Sequence, residues 1–314
     1  MALDPEMAEW LRLAAAQQAG APAFDPYALP PVEAARAMRA GARPPAPRAA
    51  DPDVSVSDVM IACPQGEVPL RIYHPRAPRG VMLNIHGGGW VLGSIEADHD
   101  RCLILQRVTG ATVVSVGYRR APEHPFPAPL DDCCAAMRWA WRERASLAAV
   151  NAGLVVEGSS AGANLAAATA LVARDEGVEV ALQVLISPVC DCDFETASYR
   201  DNAEGYFLTR AMMRWFWDQY APGDLRNEAL VSVSRHPKLS GAAPALIIAA
   251  EFDPLRDDAR AYGERLRAAG VAVEIQVVPG ALHSFTSLAP ASALARAGFE
   301  LIGRQTRRAL GAGA

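Results

Sequence analysis

The 314-residue sequence has no hydrophobic run long enough to cross a membrane. Its longest apolar stretches, such as Ala242 to Ala250, fall far short of the roughly 20 residues that a spanning helix needs. The sequence also lacks a basic N-terminal segment followed by an apolar one, which a secretory signal would require. These absences predict a cytoplasmic protein without a membrane span.

An excess of positive charge is missing as well. The chain has 30 Lys and Arg against 35 Asp and Glu, a formal net charge of -5, so no nucleic acid partner is expected. It has only 6 cysteines, and Cys190-x-Cys192 lacks the spacing of a zinc site, so we expect free thiols and no metal. At 51% hydrophobic and 21% charged residues, the composition excludes a disordered or coiled-coil protein.

Beyond residue 50, predicted strands alternate with predicted helices. The eight candidate strands are Val54 to Ile61, Val68 to Tyr73, Val81 to Ile85, Thr112 to Val116, Leu154 to Val156, Ala181 to Ile186, Ala245 to Ala249 and Val271 to Val278. Such alternation predicts an α/β protein whose mostly parallel eight-stranded sheet is flanked by helices. The first two strands are separated by a short turn and should instead form an antiparallel hairpin.

Two segments stand outside this alternation. Residues 1–48 contain two predicted helices, Pro5 to Gln18 and Pro31 to Ala40, followed by a proline-rich linker from Ala42 to Ala50. Residues 190–239 contain no predicted strand and are rich in aromatic residues. We therefore expect a core formed by residues 49–189 and 240–314, an N-terminal helical appendage and a helical insertion.

The sharpest motif is Gly158-Ser-Ser-Ala-Gly162, which lies between a predicted strand and a predicted helix. A nucleophile elbow needs small residues two positions before and two after its serine, because the backbone turns so tightly. Ser160 has glycine at both positions, whereas Ser159 is flanked by Glu157 and Ala161. Ser160 is therefore the predicted nucleophile.

A glycine-rich loop follows the strand that ends at Ile85. Its sequence, His86-Gly-Gly-Gly-Trp90, leaves consecutive backbone N–H groups free of side chains and able to approach a substrate. An oxyanion hole for a tetrahedral intermediate requires such donors. The N–H of Ala161, at the start of the helix after Ser160, would supply a further donor with the helix dipole behind it.

A catalytic acid and a histidine should follow the serine in that order, each after a late strand. Of the six histidines, His283 lies beyond the elbow and after a strongly predicted strand, whereas His236 falls in the insertion. Asp253 comes three residues after the strand ending at Ala250. These positions predict that Asp253 and His283 complete a triad with Ser160.

In these motifs the sequence resembles the bacterial hormone-sensitive-lipase-like carboxylesterases, which have the α/β-hydrolase fold. The resemblance covers nearly the whole chain, and its motifs are HGGGW from His86, the block from Tyr118 to Pro127, the elbow with Asn164-Leu165 after it, Asp253 to Asp257, and His283-Ser284-Phe285. It implies that Ser160, Asp253 and His283 are the triad and that Gly88, Gly89 and Ala161 are the oxyanion donors.

The resemblance also implies a serine carboxylesterase that acts on short- to medium-chain acyl esters, without a cofactor or metal. The two helical segments would be its cap, and Trp90, Tyr206, Phe207 and Trp215 could line the pocket, although an aromatic residue considered singly more often packs in the core. The sequence leaves open a monomer or a homodimer.

Three departures from the family pattern leave the substrate open. Ser159 and Ala163 replace an Asp and a Gly of the usual G-D-S-A-G-G elbow, and Ser284 replaces the usual Gly after the histidine. A deacetylase or amidase of one small metabolite is therefore an alternative, because fold and triad do not fix the leaving group. A ligand receptor of the gibberellin-receptor kind is a further alternative, but such receptors lack the histidine that this chain has.

Overall fold

The structure, a computed structural model, describes residues 2–18, 25–41, 53–63, 65–149, 151–288 and 291–311. Its central feature is an eight-stranded sheet in the order β1-β2-β4-β3-β5-β6-β7-β8. The strands are β1 (Val54–Cys63), β2 (Gly66–Pro75), β3 (Val81–Ile85), β4 (Thr112–Val116), β5 (Leu154–Ser159), β6 (Val180–Ile186), β7 (Ala245–Phe252) and β8 (Val273–Leu282). The predicted linker from Ala42 to Ala50 lies outside the described residues.

The sheet is antiparallel at one edge and parallel elsewhere. β1 and β2 pair as an antiparallel hairpin, and β2 pairs with β4 in the same sense. The other pairings, from β4 through β3 to β8, are parallel. The predicted mostly parallel sheet and its antiparallel first hairpin are thus confirmed.

Helices cover both faces of the sheet. The helices are α1 (Pro5–Gln18), α2 (Pro31–Gly41), α3 (His99–Thr109), α4 (Ala128–Arg142), α5 (Arg144–Leu147), α6 (Ala161–Asp175), α7 (Ala197–Asp201), α8 (Arg210–Tyr220), α9 (Arg256–Ala268), α10 (Phe285–Leu288) and α11 (Ala293–Gly311). One hydrophobic cluster joins α4, α6 and α9 to the sheet, and the other joins α1, α3 and α11 to the opposite face.

The central strands are hydrophobic along their whole length because both of their faces are covered. Every residue of β3 and β4 is buried, as expected for parallel strands between two helical layers. Alternate residues face opposite ways, so that Leu83 joins one cluster and Met82 the other. This arrangement fixes the ends of β3, β5, β7 and β8 at one edge of the sheet, where ligands bind in such folds.

β8 differs from its predicted bounds. The sequence predicts Val271 to Val278, whereas the strand runs from Val273 to Leu282. Pro279 and Gly280 lie beyond the predicted end, but they continue the strand past a register shift opposite the end of β7. As a result, His283 follows the strand directly.

Residues 190–239 are helices and loops without a strand. They contain α7, α8 and two short 3-10 helices, Gly223–Asn227 and Val233–Arg235. α8 buries Trp217 and Tyr220 against the core, and Trp90 stacks on the Tyr220 ring at a centroid distance of 4.3 Å. The segment is therefore packed on the sheet's carboxyl edge, beside the loops that follow β3 and β5.

Candidate active site

The elbow between β5 and α6 holds Ser160 in an unusual backbone conformation. Its φ is 57° and its ψ is -123°, a region that side-chain-bearing residues rarely adopt. The flanking glycines are required sterically. A Cβ on Gly158 would lie 2.3 Å from the Gly162 oxygen, and one on Gly162 would lie 2.1 Å from the Ile85 oxygen. The sequence thus folds here only because both positions are glycine.

Three side chains meet at this elbow. His283 Nε2 lies 3.0 Å from Ser160 Oγ, and His283 Nδ1 lies 2.8 Å from Asp253 Oδ2. The chain of contacts runs serine, imidazole, carboxylate, as acyl transfer by a serine nucleophile requires. If the carboxylate accepts from Nδ1–H, the Nε2 nitrogen is left as the proton acceptor facing the serine.

Burial and a backbone contact hold this arrangement in place. Asp253 is fully buried, and its second oxygen accepts a 2.9 Å hydrogen bond from the Leu255 N–H. Asn202 donates to the Asp253 carbonyl at 3.2 Å. His283 is also buried. The carboxylate is therefore fixed on both oxygens and can orient the imidazole.

The glycine loop after β3 lies against the elbow. A Cβ on Gly87 would come within 2.8 Å of the Ser159 oxygen, and one on Gly89 within 2.4 Å of the Phe216 ring. Among the described residues, the N–H groups of Gly88, Gly89 and Ala161 donate to no protein acceptor. They are therefore available to an oxygen of a bound substrate.

His86 and Tyr118 support this loop from behind. Their rings stack at a centroid distance of 4.2 Å, and the Tyr118 hydroxyl donates to the His86 carbonyl at 2.9 Å. Burial lowers the pKa of His86, which favours the neutral imidazole. Arg120 donates to the Gly93 carbonyl on the far side of the same loop. The loop is thus held in shape before any substrate binds.

A cavity of about 260 Å³ opens beside Ser160 and His283. Its walls come from the glycine loop, the elbow, the segment after His283 and residues between 207 and 216 of the helical insertion. The volume is slightly below the usual range of sites for drug-sized ligands. The site can therefore enclose a small molecule next to the serine.

The four aromatics predicted for the pocket are placed differently from one another. Phe207 lines the cavity. Trp90 is fully buried between Tyr220 and other core side chains, and Trp215 is 2% exposed in the same hydrophobic cluster. Tyr206 packs against Phe252. The cavity wall does not include these three. Trp90 and Trp215 are in the core, where burial stabilises large aromatic surfaces, and Tyr206 is half-buried.

Sequence reasoning missed Arg39, which ties α2 to the site. Its guanidinium donates to the Val91 carbonyl at 2.9 Å and the Ala121 carbonyl at 2.8 Å, and it pairs with Glu123. Val91 follows the glycine loop directly. The sequence shows only that Arg39 is a basic residue near the end of an amphipathic helix. Its partner Glu123 is 84 residues away, so local sequence spacing could not predict the pair.

A buried charged pair below the elbow was also missed. Arg101 of α3 pairs with Glu157 of β5, and it donates to Asn84 of β3 at 2.8 Å. Burial raises the pKa of Glu157, and the adjacent guanidinium opposes that shift. The pair braces the two strands that end at the glycine loop and the elbow. An acidic residue inside the apolar run of β5 was its sequence signal.

The described ranges contain neither a candidate metal site nor a candidate membrane span. No group of three or more His, Cys, Asp or Glu side chains there is arranged to hold a metal ion. None of the helices in those ranges is both long and apolar enough to cross a bilayer.

Comparison with known families and structures gives concordant matches. Residues 82–287 match the family described as alpha/beta hydrolase fold. The chain is 35% identical to an ethyl acetate hydrolase of Pseudomonas putida, over 91% of this chain and 92% of that protein. It is 36% identical to an arylesterase of Saccharolobus solfataricus, over 75% and 78% of the two chains.

Solved structures show the same similarity at the level of the fold. A thermostable esterase from Pseudomonas putida superposes with a TM-score of 0.86 at 31% identity, covering 98% of each chain. These matches span the elbow, the glycine loop and the segment that contains His283.

Proposed function

Because the chain belongs to the hormone-sensitive-lipase-like carboxylesterases of the α/β-hydrolase fold, we propose that Ser160, His283 and Asp253 are its catalytic triad. The protein is a carboxylic ester hydrolase of the serine type. The observation that carries the residue assignment is the continuous contact from Ser160 Oγ through the His283 ring to Asp253.

In the first half of the reaction Ser160 becomes acylated. His283 Nε2 takes the proton from Oγ as the oxygen attacks the ester carbonyl, and Asp253 stabilises the imidazolium that forms. The intermediate then collapses, and Nε2 gives its proton to the departing alcohol oxygen. In the second half a water molecule repeats the sequence and releases the acid.

The oxyanion is held by backbone donors in this proposal. The N–H groups of Gly88, Gly89 and Ala161 are unengaged by protein acceptors within the described residues, and Ala161 begins α6. A helix N-terminus adds a positive potential where negative charge develops. Such preorganised donors typically account for about 3 kcal/mol each of transition-state stabilisation.

Short to medium acyl groups fit the cavity best. At about 260 Å³ it has room for a small ester, and cap side chains such as Met212 and Phe216 supply an apolar wall. The likeness to an ethyl acetate hydrolase supports the same size class. Residues 1–48 and 190–239 form the cap in this proposal, because Phe207 of one segment contacts Trp10 of the other at a 5.2 Å centroid distance.

Action in the cytoplasm is part of the proposal. Its support is that all 6 cysteines are unpaired and that four of them are buried, as suits a reducing compartment. Cell fractionation followed by esterase assay tests it.

A panel of matched p-nitrophenyl esters and anilides tests the function. We expect hydrolysis of the acetate and butyrate esters, a decline at octanoate, and slow or no cleavage of the corresponding anilides. Faster cleavage of the anilides would favour the amidase alternative. Binding without turnover of every ester would favour a receptor.

A further inference from the structure

The cavity beside Ser160 has two chemically different walls. The wall formed by the cap is apolar, and its members are Phe207, Leu208, Met212, Met213 and Phe216. The polar wall is the set of hydroxyl- and carboxylate-bearing residues in the same lining, and its members are Ser94, Asp98, Ser159, Ser284 and Ser287. An ester bound at Ser160 therefore meets both hydrocarbon side chains and hydrogen-bonding oxygens.

Part of the polar wall adjoins the imidazole that protonates the leaving group in the proposed mechanism. Ser284 directly follows His283, and its Oγ is 3.3 Å from the Oγ of Ser159. In the proposed mechanism His283 Nε2 protonates the departing alcohol oxygen, so the alcohol must leave alongside this imidazole. In this arrangement the alcohol portion of the substrate lies beside Ser284, on the polar wall, and the acyl portion lies against the apolar side chains of the cap.

This wall has unused hydrogen-bonding capacity. Asp98 uses Oδ2 to accept from Asn84 at 2.8 Å and to approach Arg101 at 3.5 Å, whereas its Oδ1 meets no donor among the described residues. The Ser94 hydroxyl accepts from the Ala97 N–H at 3.1 Å and keeps its own proton to donate. A bound alcohol without polar groups would displace water from Asp98 and Ser94 without replacing its hydrogen bonds. The unsatisfied groups would then weaken binding.

We infer that the preferred substrate is an ester whose alcohol portion carries a further hydroxyl group, which hydrogen-bonds to Asp98 and the adjacent serines. This inference rests on the proposed function, and it names the substrate class that the function leaves open. The Asp98 carboxylate is the principal acceptor, since hydrogen bonds to charged groups are stronger than those between neutral groups.

The test compares 2-hydroxyethyl butyrate with propyl butyrate. These esters differ only by a hydroxyl in place of a methyl at the end of the alcohol, and both form the same butyryl-enzyme, so deacylation is identical. The kcat/KM of each is measured by titrating released acid and is divided by the rate constant for its hydrolysis by hydroxide. We expect the corrected ratio to favour the hydroxylated ester by roughly three- to tenfold, the effect of one hydrogen bond.

Three variants locate the effect. Asp98→Asn and Ser287→Ala should each bring the ratio closer to one, whereas Met212→Leu, on the apolar wall, should leave the ratio as it is. Thermal unfolding of each variant confirms that it is folded, and the wild-type ratio tests the inference without any variant. A wild-type ratio at or below one, or a ratio unchanged in both polar-wall variants, would overturn the inference. If the enzyme cleaved neither ester, the proposed esterase function itself would be wrong.

Discussion

At the scale of single residues, the site depends on where one serine is placed. Ser160 has a positive φ of 57° and is surrounded by glycines at the two positions where a Cβ would collide with backbone. Ser159 ends β5 and points to Ser284 instead of His283. Adjacent serines of the same chemistry thus face different partners because the backbone turns between them.

Substitution of these two serines separates the roles. Ser160→Ala should abolish hydrolysis of p-nitrophenyl butyrate, because Ser160 Oγ lies 3.0 Å from His283 Nε2 and no other hydroxyl of the described residues contacts that nitrogen. Ser159→Ala loses only the 3.3 Å contact with Ser284, so its kcat/KM should fall by less than about tenfold. Steady-state rates of the two purified variants decide the matter, and an inactive Ser159→Ala beside an active Ser160→Ala would refute the elbow assignment.

The same reasoning applies to the histidines. His283→Gln should lower kcat by roughly 10³-fold or more, since the base and its Asp253 partner act as a unit. His236→Gln is the matched control, because His236 lies in the loop before β7 and its carbonyl bonds to Arg265. Single-turnover assays should show the loss in acylation. Near-wild-type turnover by His283→Gln would be incompatible with the proposed mechanism.

At the scale of elements, the N-terminal helices contact both the loop that follows β3 and the far edge of the sheet. α2 donates through Arg39 to the carbonyls of Val91 and Ala121. α1 buries Met7 on the opposite face of the sheet, and Asp4 N donates to the Gly280 carbonyl of β8 at 3.0 Å. These contacts place helices that precede the core in sequence directly against the loops that carry the site.

Acid should weaken the α2 contact through Glu123. The hydrogen bond from Arg39 holds the pKa of Glu123 below its usual range, so the contact stabilises the fold above the ordinary carboxyl pKa of about 4.3 and is lost as pH falls through the lowered value. Both side chains are partly exposed, which limits the effect to about 1 kcal/mol.

The measurement is the Tm difference between wild type and Glu123→Gln. We expect the wild type to be higher by on the order of 2 °C at pH 7, with the difference vanishing below the lowered pKa. Glu67→Gln, at an exposed site on β2, is the control and should show no such dependence. A difference that grows on acidification would contradict this account.

Some elements were predictable and others were not, for physical reasons. The strands β3, β4 and β5 are short buried runs rich in Val and other apolar residues, so their pattern is visible locally. The elbow was predictable because its glycines are a steric necessity at fixed spacing. The end of β8 was missed because a proline and a glycine usually end a strand, and here pairing with β7 continues past them.

Long-range polar contacts could not be predicted from spacing. Arg39 and Glu123 are 84 residues apart, and Arg101 and Glu157 are 56 apart. Their pairing depends on how the helical layers meet the sheet, which no local pattern contains. The assignment of Trp90 to the core depends likewise on Tyr220, 130 positions later in a different segment of the chain.

At the scale of the whole molecule, the reactivity of the cysteine thiols depends on how tightly the helices pack against the two faces of the sheet. Cys102, Cys133 and Cys190 are fully buried, and burial raises the pKa of each well above its ordinary value. Burial also raises the pKa of Cys134 to about 12. Thiols in such surroundings are poor nucleophiles, because the thiolate is the reactive form.

We therefore expect a simple titration with a disulfide reagent. Native protein should react rapidly at no more than two positions, the half-buried Cys63 and Cys192, whereas denatured protein without reductant should show 6 free thiols. The absorbance of the released chromophore gives the number of reacted thiols in the native and in the denatured protein. Fewer than six after denaturation would show a disulfide, and rapid reaction of all six in the native state would contradict the packing described.

Covalent labelling with diethyl p-nitrophenyl phosphate tests the central claim, that Ser160 is the nucleophile activated by His283, most directly. One equivalent of p-nitrophenol per chain should be released as esterase activity is lost, and mass spectrometry of the digest should place the diethylphosphoryl group on Ser160. His283→Gln should label far more slowly, since its serine has no base. Complete inactivation with the label on another residue, or full activity after Ser160 is labelled, would contradict the account.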